Sequence, residues 1–293
     1  MTFGIVGLGL MGGGFARAIR NAADCGRLPE DNLEILACDN NEDVLKAASV
    51  NGIIDSWFTM ISAGNMLKKC DVVFVCLYPD DTFSFIKEHA ADFKPSAIVT
   101  DIAGVKGNRV SECEKRCPQY IAGHPMAGSD REGFSHSSTV RFQGRNYIVM
   151  PRQAAPDKER LERFKEIISA LGFGQIIETD TTTHDSKIAF TSQLCHVIAS
   201  ALVDCAEDER VTQFGGGSFE DLTRIAMINA PLWTELFLSN KDALLPHVDS
   251  FLDSMQKLRA AIADDDAESL ERYLAAVRTK RALMRKTESS ASN

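Results

Sequence analysis

A histidine between a glycine and a proline, in Gly123-His124-Pro125-Met126-Ala127-Gly128-Ser129-Asp130, lies more than a hundred residues past a glycine-rich run, Gly7-Leu8-Gly9-Leu10-Met11-Gly12. An unperturbed imidazole titrates near ~6.5, so His124 can take a proton from an alcohol at neutral pH. The glycine run has Gly-x-Gly-x-x-Gly spacing between an apolar stretch and a helix-forming one, the context in which this motif holds a dinucleotide pyrophosphate. Gly7 allows the tight turn, Gly9 the approach of phosphate, and Gly12 close helix packing. The helix N-terminus offers free N–H groups and partial positive charge. A base and a nicotinamide together equip a protein for alcohol oxidation, because hydride leaves carbon as the hydroxyl proton leaves oxygen.

Asp39 ends the next apolar run, 27 residues after Gly12. A carboxylate there hydrogen-bonds ribose hydroxyls and repels the extra phosphate of NADP. No arginine occurs from Asn40 to Val44. The expected cofactor is NAD, with Gly7, Leu8, Gly9, Leu10, Met11, Gly12 and Asp39 as its binding residues.

Of the six histidines, His89, His136 and His247 lie in polar surroundings and need no function. His184 and His196 are about 18 Å apart along one helix and cannot grip the same small group. His196, amid Leu194, Val197 and Ile198, fits a core histidine on spacing alone. Arg224 follows the triple glycine 215–217 and is the best candidate for a bidentate carboxylate grip; the bland alternative is a surface pair with Asp221. Lys106 is either solvated or turned toward the cofactor edge.

These residues need a frame, and the chain alternates to give one. Strands are expected at Phe3–Val6, Leu33–Asp39, Asp71–Leu77, Ala97–Thr100, Tyr120–Gly123, Asn146–Met150 and Gln175–Glu178. Helices are expected at Phe15–Ala23, Glu42–Val50, Thr82–Ala91, Arg109–Cys117 and Asp157–Leu171. The run around Val72–Val75 is almost unbroken in apolar residues, as in a strand covered on both faces. Such alternation predicts an α/β fold with a Rossmann-like, mainly parallel sheet. Beyond Asp180 only helices are expected: Thr183–Glu207, Phe219–Asn229, Pro231–Asn240, Ala243–Ala263 and Asp266–Arg285. The domains are therefore read as 1–180, which binds the dinucleotide, 181–286, an all-helical substrate and dimerisation domain, and 287–293, a flexible tail. The long apolar helices suggest burial against a second subunit.

The chain has 293 residues, 44% hydrophobic and 25% charged, with a formal net charge of −9. An acidic surface without a Lys/Arg run argues against nucleic-acid and anionic-membrane partners. The eight cysteines show neither Cys-x-x-Cys nor zinc spacing, so reduced thiols and no metal are expected. Cys70, Cys76 and Cys205 lie in apolar runs and are read as buried. No leader precedes the first strand and no apolar run approaches a membrane span, so the expected location is cytoplasmic.

Together the motifs resemble the prephenate/arogenate (cyclohexadienyl) dehydrogenase family of tyrosine biosynthesis. The resemblance rests on Gly7–Gly12, Asp101–Lys106, Gly123–Ser129, His184-Asp185, Ser192–His196 and Gly217–Ala226, in the family's order. It implies NAD-dependent oxidative decarboxylation of prephenate to 4-hydroxyphenylpyruvate by a homodimer, with arogenate as the alternative substrate. His124 would be the catalytic base, and Arg224 would bind substrate carboxylate. His196 and Asp130 would line the pocket, as would Gly104. Three departures stand out. Gly104 replaces a frequent serine that bonds both the substrate hydroxyl and the catalytic histidine, Gln193 replaces a common histidine, and Asp130 replaces a frequent glutamate. A β-hydroxyacid dehydrogenase shares the glycine-rich start, but it would use a lysine such as Lys187. A dinucleotide-binding regulatory protein without turnover is encouraged only by Gly104.

Overall fold

The computed structural model describes residues 1–28, 32–129, 131–152 and 157–284. Among these residues eight strands form one sheet in the order β3-β2-β1-β4-β5-β6-β7-β8. They are β1 (Thr2–Val6), β2 (Glu34–Asp39), β3 (Ser56–Thr59), β4 (Val72–Val75), β5 (Ile98–Asp101), β6 (Tyr120–Pro125), β7 (Tyr147–Met150) and β8 (Ile176–Glu178). Among the described residues only the β6–β7 pairing is antiparallel. The chain thus has the expected mainly parallel α/β sheet followed by helices.

The helices of the first part are α1 (Leu10–Asp24), α2 (Glu42–Val50), α3 (Ala63–Leu67), α4 (Pro79–Glu88), α5 (Arg109–Arg116) and α6 (Lys158–Ala170). Every residue of β4 is buried, as a strand covered on both faces requires. One core packs α1 and α6 on the sheet through Phe15, Phe74, Phe164 and Ile168; the other packs α3, α4 and α5 on the opposite face through Met66, Phe83, Ile86 and Cys113. Helix starts follow local chemistry. The Asn41 side chain accepts N–H bonds from Asp43 and Val44, and Asp157 accepts one from Arg160.

After β8 come α7 (Thr181–Ile188), a π-helical segment (Ala189–Gln193) and α8 (Leu194–Asp204), in one unbroken run. Then follow α9 (Gly217–Thr223), a single 3-10 turn at Arg224–Ala226, α10 (Ala230–Ser239), α11 (Lys241–Ala263) and α12 (Ala267–Leu283). Contrary to the composition-based expectation, the run Thr181–Asp204 is long and apolar enough, by those measures alone, to cross a membrane. It nevertheless carries the buried His184 and Asp185 near its start.

The chain divides into two compact units, Met1–Asn240 and Lys241–Asn293. The change from strands to helices near residue 180 does not coincide with this division, because α7 is bonded into the strand region through Asp185. Within the second unit α11 and α12 pack against each other.

Several local expectations shift. Helix α1 begins at Leu10, inside the stretch read as a glycine turn. The edge strand β3 and short helix α3 carry too little periodicity to be read in sequence. Strand β6 runs on through Pro125, so His124 lies within the strand, paired with Ile148, rather than after it. Cys205 is exposed because α8 ends there without being covered. The expected tail, 287–293, lies outside the described residues.

Candidate active site

In a parallel sheet the carboxyl ends of successive strands open on one edge, where ligands bind. Here β1, β2, β4, β5 and β6 are parallel, so Gly7, Asp39, Cys76, Ile102 and His124 all reach that edge.

Two glycines of the loop are required by close contacts with the backbone. Gly7 has φ +85, and a Cβ on it would lie 2.7 Å from the Cys76 carbonyl oxygen. A Cβ on Gly12 would lie 1.9 Å from the Gly7 carbonyl oxygen, while a Cβ on Gly9 meets nothing within 4 Å. Gly9 caps α1 without a side-chain bond, so the first N–H groups of the helix are left for a ligand. Leu8 N–H donates to Asp39 Oδ2 at 2.6 Å, and Asn41 N–H donates to Oδ1 at 2.8 Å. The Asp39 carboxylate is thereby fixed against the phosphate loop. An open backbone cradle with a carboxylate at its side fits a dinucleotide.

His124 follows a glycine for a steric reason: a Cβ on Gly123 would lie 2.2 Å from the Tyr147 hydroxyl oxygen. Both peptide groups of Gly123 are held by buried charge. Its N–H donates to Asp101 Oδ1 at 3.2 Å, and its carbonyl accepts from Lys106 Nζ at 2.6 Å. Lys106 also pairs with Asp101, which accepts from the Tyr120 hydroxyl (2.7 Å) and from Ala103 N–H (2.9 Å). Lys106 is therefore neither solvated nor turned to the cofactor; it is fully buried. Glycines at 104 and 107 disguise it as a loop lysine, while the acceptors that hold it come from other strands.

The His124 ring bridges two neighbourhoods. Its Nδ1 lies 2.9 Å from His184 Nε2, and His184 Nδ1 lies 2.7 Å from Asp185 Oδ1. On the other side, a Cβ built on Gly104 would be 3.8 Å from His124 Nε2 and 3.5 Å from Leu236 Cδ2. Leu236 sits on α10, and Trp233 lies one turn earlier on the same helix. Trp233 stacks on His196 with ring centroids 3.6 Å apart. Helix α10 thus faces both His124 and His196. It is pinned by Gln193, whose amide donates to the Leu236 carbonyl (2.7 Å) and accepts from Asn240 (2.7 Å). Gln193 lies in the π-helical segment, a local widening of the helix that often marks functional sites.

Burial pushes the His124 pKa well below the usual imidazole range, and the neighbouring His184 and Lys106 add to the effect. Burial also lowers that of His184, opposed by its bond to Asp185 and reinforced by Lys106. His196 donates from Nδ1 to the Ser192 carbonyl at 2.9 Å; burial lowers its pKa, and the charge of Arg224 lowers it further. Arg224 is exposed, opens the 3-10 turn after α9, and forms no ion pair with Asp221 among the described residues. Asp130 lies outside the described residues.

The fold therefore brings the loop Gly7–Gly12, Asp39, Gly104 and His124 to one sheet edge, and places Arg224 beside His196. Sequence reasoning missed three things: the partnership of His184 with His124, the role of Trp233 and the burial of Lys106. The adjacency of His184 and Asp185 was the available signal for the first, since a carboxylate beside a histidine often orients it.

Residues 16–177 match the family described as prephenate dehydrogenase, nucleotide-binding domain, and residues 180–276 match prephenate dehydrogenase, dimerization domain. The chain is 28% identical over 281 residues to the prephenate dehydrogenase of Bacillus subtilis, covering 93% of this chain and 73% of that protein. It is 28% identical over 274 residues to the cyclohexadienyl dehydrogenase of Zymomonas mobilis, covering 91% and 90%. Among solved structures it resembles the prephenate dehydrogenase of A. aeolicus in complex with hydroxyphenyl propionate and NAD+, with a TM-score of 0.84, 28% identity, and coverage of 97% and 98%.

Proposed function

The chain belongs to the prephenate dehydrogenase family, and on that premise we propose that it oxidises and decarboxylates prephenate with NAD, using His124 as the base. The carrying observation is that His124, at the end of β6, stands on the same sheet edge as the Gly7–Gly12 cradle. Bound there, NAD supplies the hydride acceptor.

The residues divide the remaining work. The backbone of Gly7–Gly12 and the α1 N-terminus neutralise pyrophosphate charge, and Asp39 takes the ribose hydroxyls. His124 Nε2, on the Gly104 side, accepts the proton of the ring hydroxyl as the carbon beneath loses hydride. The resulting ketone draws the electron pair of the ring–carboxylate bond into the ring. Carbon dioxide leaves, and the new phenolic oxygen recovers a proton, from His124 in the simplest sequence. His124 is neutral when the reaction starts, because burial disfavours its cation. Arg224 grips substrate carboxylate, and His196 on its Trp233 platform lines the pocket together with Gly104. Residues 1–180 hold the dinucleotide, and 181–286 supply substrate contacts and the subunit interface. A homodimer is supported by the match to a dimerization domain and by exposed Leu252, Met255, Ile262, Leu274 and Val277 on α11 and α12.

Incubation with NAD and either prephenate or arogenate tests the reading. NADH and 4-hydroxyphenylpyruvate should form from prephenate, and His124→Asn should lower turnover at least ~100-fold with NAD affinity intact. Absence of NADH with both substrates overturns it.

A further inference from the structure

We infer that Asp185 and His184 form a positioning pair that fixes the tautomer of His124, placing its proton on Nδ1 and leaving Nε2 bare. The inference rests on the reading of His124 as the base.

The argument begins at Asp185. Its carboxylate receives the N–H groups of Lys106 (3.0 and 3.3 Å to Oδ1 and Oδ2) and Gly107 (2.7 Å to Oδ2). It can only accept, so His184 Nδ1, 2.7 Å from Oδ1, must carry a proton. A neutral imidazole has one N–H, so His184 Nε2 presents a lone pair. His124 Nδ1 lies 2.9 Å from that lone pair and must donate to it. His124 has then spent its single proton on Nδ1, and Nε2 is left free toward Gly104. His184 is buried, so solvent offers no alternative partner. The other charged groups near the pair are Lys106 and Asp101, which are held to each other in their own ion pair. Asn240 secures α7 from a further side, its amide donating to the Asp185 carbonyl at 3.0 Å. Neither histidine is held by packing alone; each ring is oriented through the nitrogen that faces away from the reaction.

The pair is directional, so one atom should reverse it. In Asp185→Asn the amide oxygen would keep the Gly107 N–H, turning the NH2 toward His184 Nδ1. His184 would then carry its proton on Nε2 and donate to His124 Nδ1. His124 would hold its proton on Nε2, where the base is needed. The same logic explains the loss of activity when the orienting aspartate of a serine-protease triad becomes asparagine.

The test uses ring-nitrogen NMR of the full-length protein labelled with 15N-histidine, at a pH above the imidazole range. His124 resonances are assigned by their loss in His124→Asn. Wild type should show protonated Nδ1 and bare Nε2 on His124, and Asp185→Asn should show the reverse. The same variant should lose at least ~100-fold in kcat with little change in KM for prephenate. Protonated Nε2 in the wild type, or an unchanged tautomer in Asp185→Asn, overturns the inference. Retained kcat in Asp185→Asn with a reversed tautomer overturns the base assignment instead. If the wild type oxidises neither prephenate nor arogenate, the proposed function fails while the tautomer result stands by itself.

Discussion

Replacing Gly104 with serine should raise activity, and the structure gives the size of the gain. The nearest atoms to a Cβ at 104 would be Leu236 Cδ2 at 3.5 Å and His124 Nε2 and Cε1 at 3.8 and 3.9 Å, all ordinary contacts. Gly104 is also not among the glycines with positive φ, so an L side chain fits its backbone. One further bond from that Cβ brings a hydroxyl into the ~2.7–3.2 Å range from His124 Nε2. There it can lie between the base and the substrate hydroxyl and orient both. A hydrogen bond of this kind is worth about 0.5–1.5 kcal/mol, which converts to roughly 2- to 13-fold in kcat/KM. Gly104→Ala is the necessary control. It adds the same Cβ without the hydroxyl, and it should stabilise the chain by about 0.4–1 kcal/mol through the unfolded state. The assay is NADH formation from prephenate at saturating NAD for the three proteins. If Gly104→Ser is no faster than Gly104→Ala, the hydroxyl contributes nothing at this position and the geometry around Nε2 has been misread.

Arg224→Ala should raise KM for prephenate roughly 10- to 150-fold, the worth of a charge-assisted hydrogen bond of about 1.5–3 kcal/mol, with kcat little changed; equal KM values would remove Arg224 from the site. Stability should fall on acidification. His124 and His184 have pKa values lowered from the unfolded value of 6.5, so the unfolded chain binds more protons below that pH. Their contribution is complete above pH 6.5 and lost as pH falls toward the lowered values, and urea midpoints at pH 7.5, 6 and 5 will read it; a midpoint unchanged over this range contradicts the burial argument. Lys106→Met should cost about 3–5 kcal/mol in urea unfolding, because the buried Asp101 loses the cation it is paired with. Restoring charge balance with Asp101→Asn in the same chain should recover part of that loss, and strict additivity would contradict the pairing.

The parts of the site that were legible in sequence are those whose chemistry is local. Gly7–Gly12 reads as a phosphate loop because turn, cradle and helix start lie within six residues. Asp39 can be placed at the end of β2 because the apolar run stops there. Arg224 and His196 needed the family resemblance, since spacing alone gave each a bland alternative. The relay to His184 was hidden by separation: sixty positions divide it from His124, and helix arithmetic related His184 only to His196. Lys106 was misread for a related reason. Asp101 is near it in sequence, but the Gly123 carbonyl that completes its site comes from the neighbouring strand. The extension of β6 through Pro125 was also invisible, because it depends on pairing with Tyr147 in an antiparallel strand.

The buried ions under His124 make sense as positioning rather than as stability. Well-packed apolar side chains in place of an ion pair are often neutral or stabilising. They would not, however, replace what Lys106 and Asp101 do for Gly123. One donates to its carbonyl and the other accepts from its N–H, so the backbone immediately before His124 is gripped from both peptide groups. Lys106 N–H reaches in addition to Asp185, whose carboxylate orients His184. The backbone and the side chain of the same histidine are therefore referred to one lysine, through its ammonium and its amide respectively. Its charge has a second consequence: the cation lies where it opposes protonation of both His124 and His184. A neutral residue of the same shape could fill the space, but it would neither hold the Gly123 carbonyl nor help keep His124 unprotonated. The desolvation of Lys106 and Asp101 is thus linked to the two properties a general base needs, a fixed position and an available lone pair.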